Sequence, residues 1–229
     1  MKVWIKKLIN KIIGKFGYKL NKVQEKPNPI HLWEEESLFN DKMKQINGRT
    51  LVDKTRCFML YQFAKQTSNL RGDVAEVGVY KGGTARLLAK TFNQKNFHLF
   101  DTFTGMPPTD ANLDIHKEGD FSDSSLPDVK AYLSDCKNIY FYQGIFPATA
   151  KPIENLTFCL VHVDVDIYKS VRDCCIFFYP RMEKGGLMIF DDYGFLRCPG
   201  AKKAVDEFFL DKPEEPCYLP TGQCVVIRL

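Results

Sequence analysis

The sequence predicts a doubly wound, mostly parallel α/β sheet of the Rossmann-like class. Two nearly continuous apolar runs, residues 158–163 and 186–190, are typical of central strands that are covered on both faces of a parallel sheet. Strand-like and helix-like segments alternate from Asp73 onward, which is the order found in doubly wound sheets. The length of 229 residues accommodates one such domain and a short appendage.

Apolar periodicity and turn residues predict the individual elements in chain order. The predicted helices cover residues 1–22, 31–47, 52–67, 85–92, 129–136, 171–182 and 199–210. The predicted strands cover residues 73–77, 97–100, 139–143, 158–163 and 186–190, followed by an antiparallel pair at 217–219 and 224–229. Residues 104–127 show little periodicity, and we expect a functional lid there because long irregular segments in compact domains are usually functional.

Charge and composition divide the chain into three expected regions: a basic amphipathic helix (1–26), a linker with a helical lead-in (27–47) and the main domain (48–229). The net charge is +4, but residues 1–26 hold eight lysines and one acid, which is +7, so the remainder carries −3. We therefore expect no binding of nucleic acid by the main domain, because nucleic-acid-binding domains usually carry a basic patch.

The N-terminal segment, residues 1–22, combines seven lysines with an apolar stripe that includes Ile5, Ile9 and Phe16. A helix of this kind is typical of segments that lie on the surface of an anionic bilayer. Two alternatives stay open at this point. The helix can dock on the acidic main domain, or the segment can be a partly disordered tail.

The compartment is predicted from two absences in the sequence. There is no run of about 18 apolar residues, so no membrane-spanning helix is expected. The eight cysteines include no CxxC pair, which indicates reduced thiols rather than a disulfide framework or a zinc site. We expect a cytoplasmic protein, with peripheral contact on the inner face of the membrane through residues 1–22. Formation of a homodimer is left open.

Four aspartates follow the two apolar runs. Asp164 and Asp166 come directly after the first run, and Asp191 and Asp192 after the second. If the two strands are neighbours, the carboxylates meet in one crevice, where two charges about 5 Å apart repel by roughly 3 kcal/mol at a dielectric of ~20. An all-oxygen ligand set favours a hard cation, Mg²⁺ first and Mn²⁺ or Ca²⁺ next. The alternative is that the aspartates cap helices and face solvent.

A glycine loop follows the first predicted strand of the main domain. Gly78, Gly82 and Gly83 precede a helix, an arrangement that presents backbone N–H groups to a ligand. Their spacing differs from the dinucleotide fingerprint. Glu76 precedes the loop and can bind an ammonium group, while Asp101 ends the next strand and can accept from ribose hydroxyls. Together these residues predict S-adenosylmethionine as the ligand, although a simple strand–helix turn would show similar glycines.

Six segments of the main domain resemble the macrocin O-methyltransferase family. They are residues 73–85 (DVAEVGVYKGGTA), 101–107 (DTFTGMP), 144–147 (GIFP), 162–168 (HVDVDIY), 190–194 (FDDYG) and 200–208 (GAKKAVDEF). The resemblance covers residues 48–229 and implies a class I methyltransferase fold. It also implies methylation of a sugar hydroxyl with S-adenosylmethionine and Mg²⁺. The acceptor would be a glycan, a polysaccharide precursor, a lipid-linked glycan or a glycosylated natural product.

The same resemblance assigns roles to individual residues. It implies that Asp164, Asp191 and Asp192 bind the metal, that Asp166 is the catalytic base, and that Thr50 belongs to a segment that folds over the cofactor. The residues expected at the cofactor are Thr50, Glu76, Gly78, Gly82, Gly83, Thr84 and Asp101.

Other interpretations of the same residues remain open. A DxD motif also holds Mn²⁺ in glycosyltransferases, and a membrane-associated methyltransferase-like protein without activity is a further alternative. His162 is more often a core residue than a base when it lies on a buried strand. Tyr168 and Tyr193 are placed to stack on a sugar, but aromatic residues near strand ends usually serve packing.

Overall fold

The computed structural model describes residues 3–16, 32–92 and 94–229, and the chain divides after Glu35 into two units. The described helices of the first unit are α1 (Val3–Ile13), a 3-10 turn (Gly14–Phe16) and α2 (Leu32–Glu35). The helix expected over residues 1–22 is therefore observed in part, and residues 17–22 lie outside the described residues.

The second unit is built on a mixed sheet. Its described strands are β1 (Asp73–Val77), β2 (Phe97–Asp101), β3 (Ile139–Gln143), β4 (Phe158–Val163), β5 (Met182–Phe190), β6 (Cys217–Tyr218) and β7 (Cys224–Ile227). Their spatial order is β3-β2-β1-β4-β5-β7-β6. The first five strands are parallel, and β7 runs antiparallel between β5 and β6. The predicted fold class, a doubly wound and mostly parallel sheet, is confirmed.

Helices precede and connect the strands of the second unit. They are α3 (Ser37–Gln45), α4 (Lys54–Thr67), α5 (Gly83–Ala89), α6 (Leu126–Tyr132), α7 (Tyr168–Phe178) and α8 (Pro199–Phe209), with 3-10 turns at Lys151–Ile153 and Tyr179–Arg181. The helices differ from their predicted bounds by a few residues, and two of these differences have a local cause in the sequence. Helix α6 begins three residues early because the Ser125 hydroxyl accepts from the N–H of Asp128 and caps it. Helix α7 ends before Pro180, which cannot continue a helix.

The core of the sheet fixes the position of the strand ends. Helices α7 and α8 pack against each other and share one apolar cluster with residues of β4 and β5, including Val161, Val163 and Phe190. Helix α4 also packs on β4 and β5. Burial of every residue of β4 explains why its sequence is a continuous apolar run rather than an alternating one.

The chain changes direction in the sheet at β1. Strands β2 and β3 lie on one side of β1, whereas β4 and β5 lie on the other. In open α/β sheets such a switch point leaves a crevice beyond the carboxyl ends of the strands, which is where ligands bind. The glycine loop after β1 and the aspartates after β4 and β5 are therefore expected at one edge.

Gly78 follows β1 directly and contacts the backbone at the ends of β2 and β4. Its N–H donates to the carbonyl of Phe100 at 2.9 Å, and its φ is +90°, in the left-handed region that favours glycine. A Cβ at this position would lie 1.7 Å from the carbonyl oxygen of Asp164. The turn after β1 can therefore approach the turn after β4 only because residue 78 has no side chain.

We predict that Gly78→Ala destabilises the protein far more than Gly48→Ala, although both glycines have positive φ. A Cβ at Gly48 meets nothing within 4 Å. That variant should lower the free energy of unfolding by about 1–2 kcal/mol, the cost of a left-handed conformation. Gly78→Ala should lower it by about 2–5 kcal/mol, because displacement of a packed backbone adds to that cost. Urea titration measures both, and equal losses would contradict the close approach.

Candidate functional site

A cavity of about 880 Å³ lies at the carboxyl ends of β1, β2, β4 and β5. Loops after these strands form part of its wall, together with a strap of residues 50–52 and residues of the irregular segment 102–125. Seven residues predicted for the site line this wall: Thr50, Gly78, Thr84, Asp101, Asp164, Asp166 and Asp192. The structure therefore brings the glycine loop and most of the predicted aspartates to one cavity.

Asp101 organises the loop that follows β1. Its Oδ2 accepts from the N–H groups of Val79 at 2.7 Å and Tyr80 at 2.8 Å, and its Oδ1 accepts from the N–H of Phe103 at 2.6 Å. These bonds hold the β1 and β2 turns together at the cavity. Each carboxylate oxygen has two lone pairs, so the two N–H groups use both lone pairs of Oδ2. Oδ1 also accepts from the Thr102 hydroxyl at 3.4 Å, and a ligand hydroxyl would replace this longer bond.

Glu76, Gly82 and Gly83 do not line the cavity wall, which differs from the expectation that they contact the ligand. The Glu76 side chain points into the interior, where Oε1 lies 2.8 Å from His162 Nδ1 and Oε2 has no hydrogen-bond partner among the described residues. Gly82 starts α5 with a φ of +84°. Gly83 donates to the carbonyl of Arg49 at 3.0 Å, which ties the strap to α5.

Three carboxylates converge beyond β4 and β5. Val163 and Phe190 are register partners at the ends of these neighbouring strands, so Asp164 and Asp191 leave the sheet side by side. Oxygen atoms of Asp164, Asp191 and Asp192 all lie within 4.8 Å of one another. The convergence expected from the sequence is therefore present in the structure.

Burial sets the protonation of this acidic cluster. It raises the pKa of Asp164 and of Asp192 well above the usual range, and the neighbouring carboxylates raise these pKa values further. Burial also acts to raise the pKa of Asp191, but the bond to His162, the charge of Arg56 and the bond from Gln223 outweigh it and lower this pKa. An all-oxygen set of two buried carboxylates and one half-buried carboxylate, with too little compensating charge, fits a hard divalent cation.

Asp166 differs from its predicted position on the strand. Strand β4 ends at Val163, and Asp166 has a φ of +57°, so it does not share an extended strand face with Asp164. The turn directs the Asp166 N–H to Asp192 Oδ2 at 2.9 Å. Its own Oδ1 accepts from Cys198 Sγ at 3.3 Å. Burial raises the pKa of the Asp166 carboxyl, which remains on the cavity wall.

Sequence reasoning did not identify four residues at this site. His116 lies on the irregular segment, with Nε2 3.6 Å from Asp166 Oδ1 and Nδ1 3.1 Å from Asp120 Oδ2. Gln223, in the turn before β7, donates to Asp191 Oδ1 at 2.8 Å. The remaining two residues are Arg56 and Cys198. The predicted lid at residues 104–127 was a signal for His116 alone, because contacts over such sequence distances leave no local pattern.

The sequence left two roles open for His162, Tyr168 and Tyr193, one in catalysis or sugar binding and one in packing. None of these residues lines the cavity wall. His162 is fully buried between Glu76 and Asp191, with Nε2 3.5 Å from Asp191 Oδ1. The hydroxyls of the two tyrosines donate to acids on α8, from Tyr168 to Glu207 at 2.6 Å and from Tyr193 to Asp206 at 2.7 Å. All three side chains therefore contact the protein itself in this structure.

The helices in the described part of the chain include none that is long and apolar enough to cross a membrane.

Comparison with known proteins identifies the family. The profile described as Macrocin-O-methyltransferase (TylF) matches residues 34–214. Demethyldecarbamoylnovobiocin O-methyltransferase of Streptomyces niveus is 26% identical over 180 residues, which are 71% of this chain and 68% of that protein. The 8-demethyl-8-(2,3-dimethoxy-alpha-L-rhamnosyl)-tetracenomycin-C 4'-O-methyltransferase of Streptomyces olivaceus is 28% identical over 148 residues, 57% of this chain and 56% of that protein.

A solved structure shows the same fold. The O-methyltransferase NovP superposes with a TM-score of 0.69 at 24% identity, covering 79% of this chain and 82% of that one. The residues matched by the family profile and the names of the relatives confirm the resemblance expected from the sequence motifs. The chain belongs to the macrocin O-methyltransferase family.

Proposed function

We propose that this protein transfers a methyl group from S-adenosylmethionine to a hydroxyl of a sugar-containing acceptor, with a divalent cation held in the acidic cluster. The convergence of Asp164, Asp191 and Asp192 beside the cavity that contains Gly78 and Asp101 carries this proposal. The relatives support the reaction class, since both are named as O-methyltransferases and one name specifies a rhamnosyl group. The methyltransferase domain would comprise residues 48–229.

The cofactor would occupy the part of the cavity formed by the loops after β1 and β2. Thr50, Gly78, Thr84 and Asp101 are on the wall there and would contact it. When bound, S-adenosylmethionine supplies an electrophilic methyl carbon, whose bond to sulfur breaks as the acceptor oxygen bonds to it, and S-adenosylhomocysteine leaves. The absence of a Cβ at Gly78 lets a ligand approach the backbone closely. Glu76, Gly82 and Gly83 would support this loop from behind.

The cation would be held by Asp164, Asp191 and Asp192, with Mg²⁺ preferred and Mn²⁺ or Ca²⁺ as alternatives. When bound, the cation lowers the pKa of an acceptor hydroxyl that coordinates it. Gln223 and His162 would fix the orientation of Asp191, because both lie against its Oδ1. The pairing of buried donors with ligand carboxylates is typical of metal sites.

Asp166 would accept the proton of the attacking hydroxyl. Its carboxyl is on the cavity wall. Its backbone N–H donates to Asp192, and this bond holds the proposed base at a fixed position relative to the acidic cluster. Its raised pKa makes it a stronger base than an ordinary aspartate. The proton passes from the acceptor oxygen to Asp166 and then to solvent, so the products are a methyl ether, S-adenosylhomocysteine and a proton.

We predict that purified protein transfers the labelled methyl group of S-adenosylmethionine to glycan or glycoside acceptors, that EDTA abolishes the transfer and that Mg²⁺ restores it. Asp166→Asn should lower kcat by about 10²–10⁴, the usual contribution of a general base, while calorimetric binding of S-adenosylmethionine is retained. Scintillation counting and mass spectrometry for a methylated product measure the reaction.

Asp173→Asn is a matched control, because Asp173 pairs with Lys169 within α7 and does not line the cavity, so turnover should be unchanged. Full activity in EDTA would refute the metal-dependent reaction. Transfer from a labelled sugar nucleotide instead of labelled S-adenosylmethionine would establish the glycosyltransferase alternative.

We predict that Asp192→Asn stabilises the metal-free protein at pH 8, because burial and the neighbouring carboxylates make the ionised form of Asp192 unfavourable in the folded state. The folded-state pKa of Asp192 lies above the ordinary value of 3.8. Between pH 3.8 and this raised pKa, the folded protein therefore binds more protons than the unfolded chain. Wild-type stability should therefore fall as pH rises through the raised pKa, and the neutral asparagine removes this part of the fall.

Urea titration in EDTA at several pH values measures this difference, and the two proteins should converge near pH 4. Asp41→Asn is the control, since that aspartate is exposed on α3 and pairs with Lys44. Equal stability of the wild type and Asp192→Asn at pH 8 would show that the charge of Asp192 does not destabilise the folded protein.

We also propose that α1 binds the surface of an anionic membrane and so favours a polysaccharide or lipid-linked acceptor. Lys7, Lys11 and Lys15 are exposed on this segment, and Ile12 is 55% exposed. Flotation with phosphatidylserine liposomes should capture the full chain at low salt and less at high salt, because each basic residue adds about 1 kcal/mol before screening. A chain that starts at Pro29 should not float. Equal flotation of both, or none of either, would remove this proposal.

A further inference from the structure

Arg56 lies in the first turn of α4 and reaches the acidic cluster. Its Nε donates to Asp53 Oδ2 at 2.8 Å, and one terminal nitrogen donates to the carbonyl of Leu51 at 3.2 Å. The other terminal nitrogen forms an ion pair with Asp191 Oδ2. The guanidinium carbon also lies 4.7 Å from the ring centre of Phe195. The side chain is only 12% exposed, so this cation is held within the site.

Arg56 binds Oδ2 of Asp191, whereas the buried residues around Asp191 contact its Oδ1. Oδ1 of Asp191 faces Gln223 Nε2 at 2.8 Å and His162 Nε2 at 3.5 Å. Oδ2 accepts from Arg56 alone among the hydrogen bonds of the described residues. A cation bound by the cluster would take an oxygen of Asp191 that is not already directed inward, and this is the atom that Arg56 holds.

The charge balance of the cluster also indicates that Arg56 and a bound cation would use the same carboxylate, Asp191. Asp191 is fully buried, and Arg56 gives it a formal counter-charge, whereas Asp164 and Asp192 have no such ion pair among the described residues. A guanidinium supplies one positive charge to three carboxylates, and a divalent cation supplies two. The two cations repel each other at this range, so they compete for Asp191 rather than share it.

We propose that Arg56 is the internal counter-cation of the metal-free site and that the divalent cation must displace it from Asp191 in order to bind. This inference rests on the proposed metal site. Asp53 and Leu51 belong to the same segment as Arg56, so they can hold the guanidinium after it leaves Asp191. Arg56 is therefore a positioning residue that sets the affinity for the cation.

The experiment is a Mn²⁺ titration of the full chain by electron paramagnetic resonance, without S-adenosylmethionine or acceptor. Arg56→Gln should bind Mn²⁺ about tenfold more tightly than the wild type, which corresponds to about 1.4 kcal/mol. Arg56→Lys should fall between them, because lysine keeps the charge but cannot fork to Asp53 and Asp191. Arg49→Gln is the matched control, since Arg49 pairs with Asp128 away from the cluster and should not change the affinity.

Thermal unfolding provides a second readout. Arg56→Gln should have a lower Tm than the wild type in EDTA, and Mn²⁺ should raise its Tm by a larger increment, because tighter binding stabilises the folded state more. Unchanged or weaker Mn²⁺ affinity in both Arg56 variants, with normal binding by the wild type, would overturn the competition and leave the proposed function standing. Absence of Mn²⁺ binding in every protein would overturn both.

Discussion

The site depends on one electrostatic constraint, which is the convergence of one half-buried and two buried carboxylates at the ends of two adjacent strands. Parallel pairing of β4 and β5 brings Asp164 and Asp191 out of the sheet side by side, and Asp192 follows directly. Buried like charges are unfavourable unless protons, donors or cations compensate them. The charge of Asp191 is compensated by Arg56, His162 and Gln223. The pKa values of Asp164 and Asp192 stay raised, which shows that their negative charges are not compensated to the same extent.

The glycine loop and the acidic cluster are parts of one structure rather than separate motifs. Gly78 lets the turn after β1 contact the backbone of Asp164, and Asp101 holds the same turn from the side of β2. Glu76 continues the connection inside the protein, because it lies against His162, which in turn faces Asp191. A methyl donor on the loop and an acceptor at the cluster would therefore be held in a fixed relation by packed backbone and buried polar contacts.

The irregular segment between β2 and α6 contributes to the site from the opposite side. His116 approaches Asp166, and Asp114 accepts from the N–H of Tyr168 at 2.8 Å, at the start of α7. These contacts attach a segment without helix or strand to the turn that carries the proposed base. Relatives in the macrocin O-methyltransferase family act on different acceptors, and a segment of this kind is free to vary without disturbing the sheet.

The fold class, most of the strands and the meeting of the aspartates could be predicted from the sequence, because buried parallel strands leave continuous apolar runs and because ligands bind at strand ends. The partners of each carboxylate are known only from the tertiary structure. Asp166 lies in a turn after the strand, and Glu76 faces the interior. Arg56 binds Asp191 although the two residues are 135 positions apart in the sequence. Such contacts depend on how distant segments pack. Periodicity and spacing record only which face of an element is buried, so they could not reveal these partners.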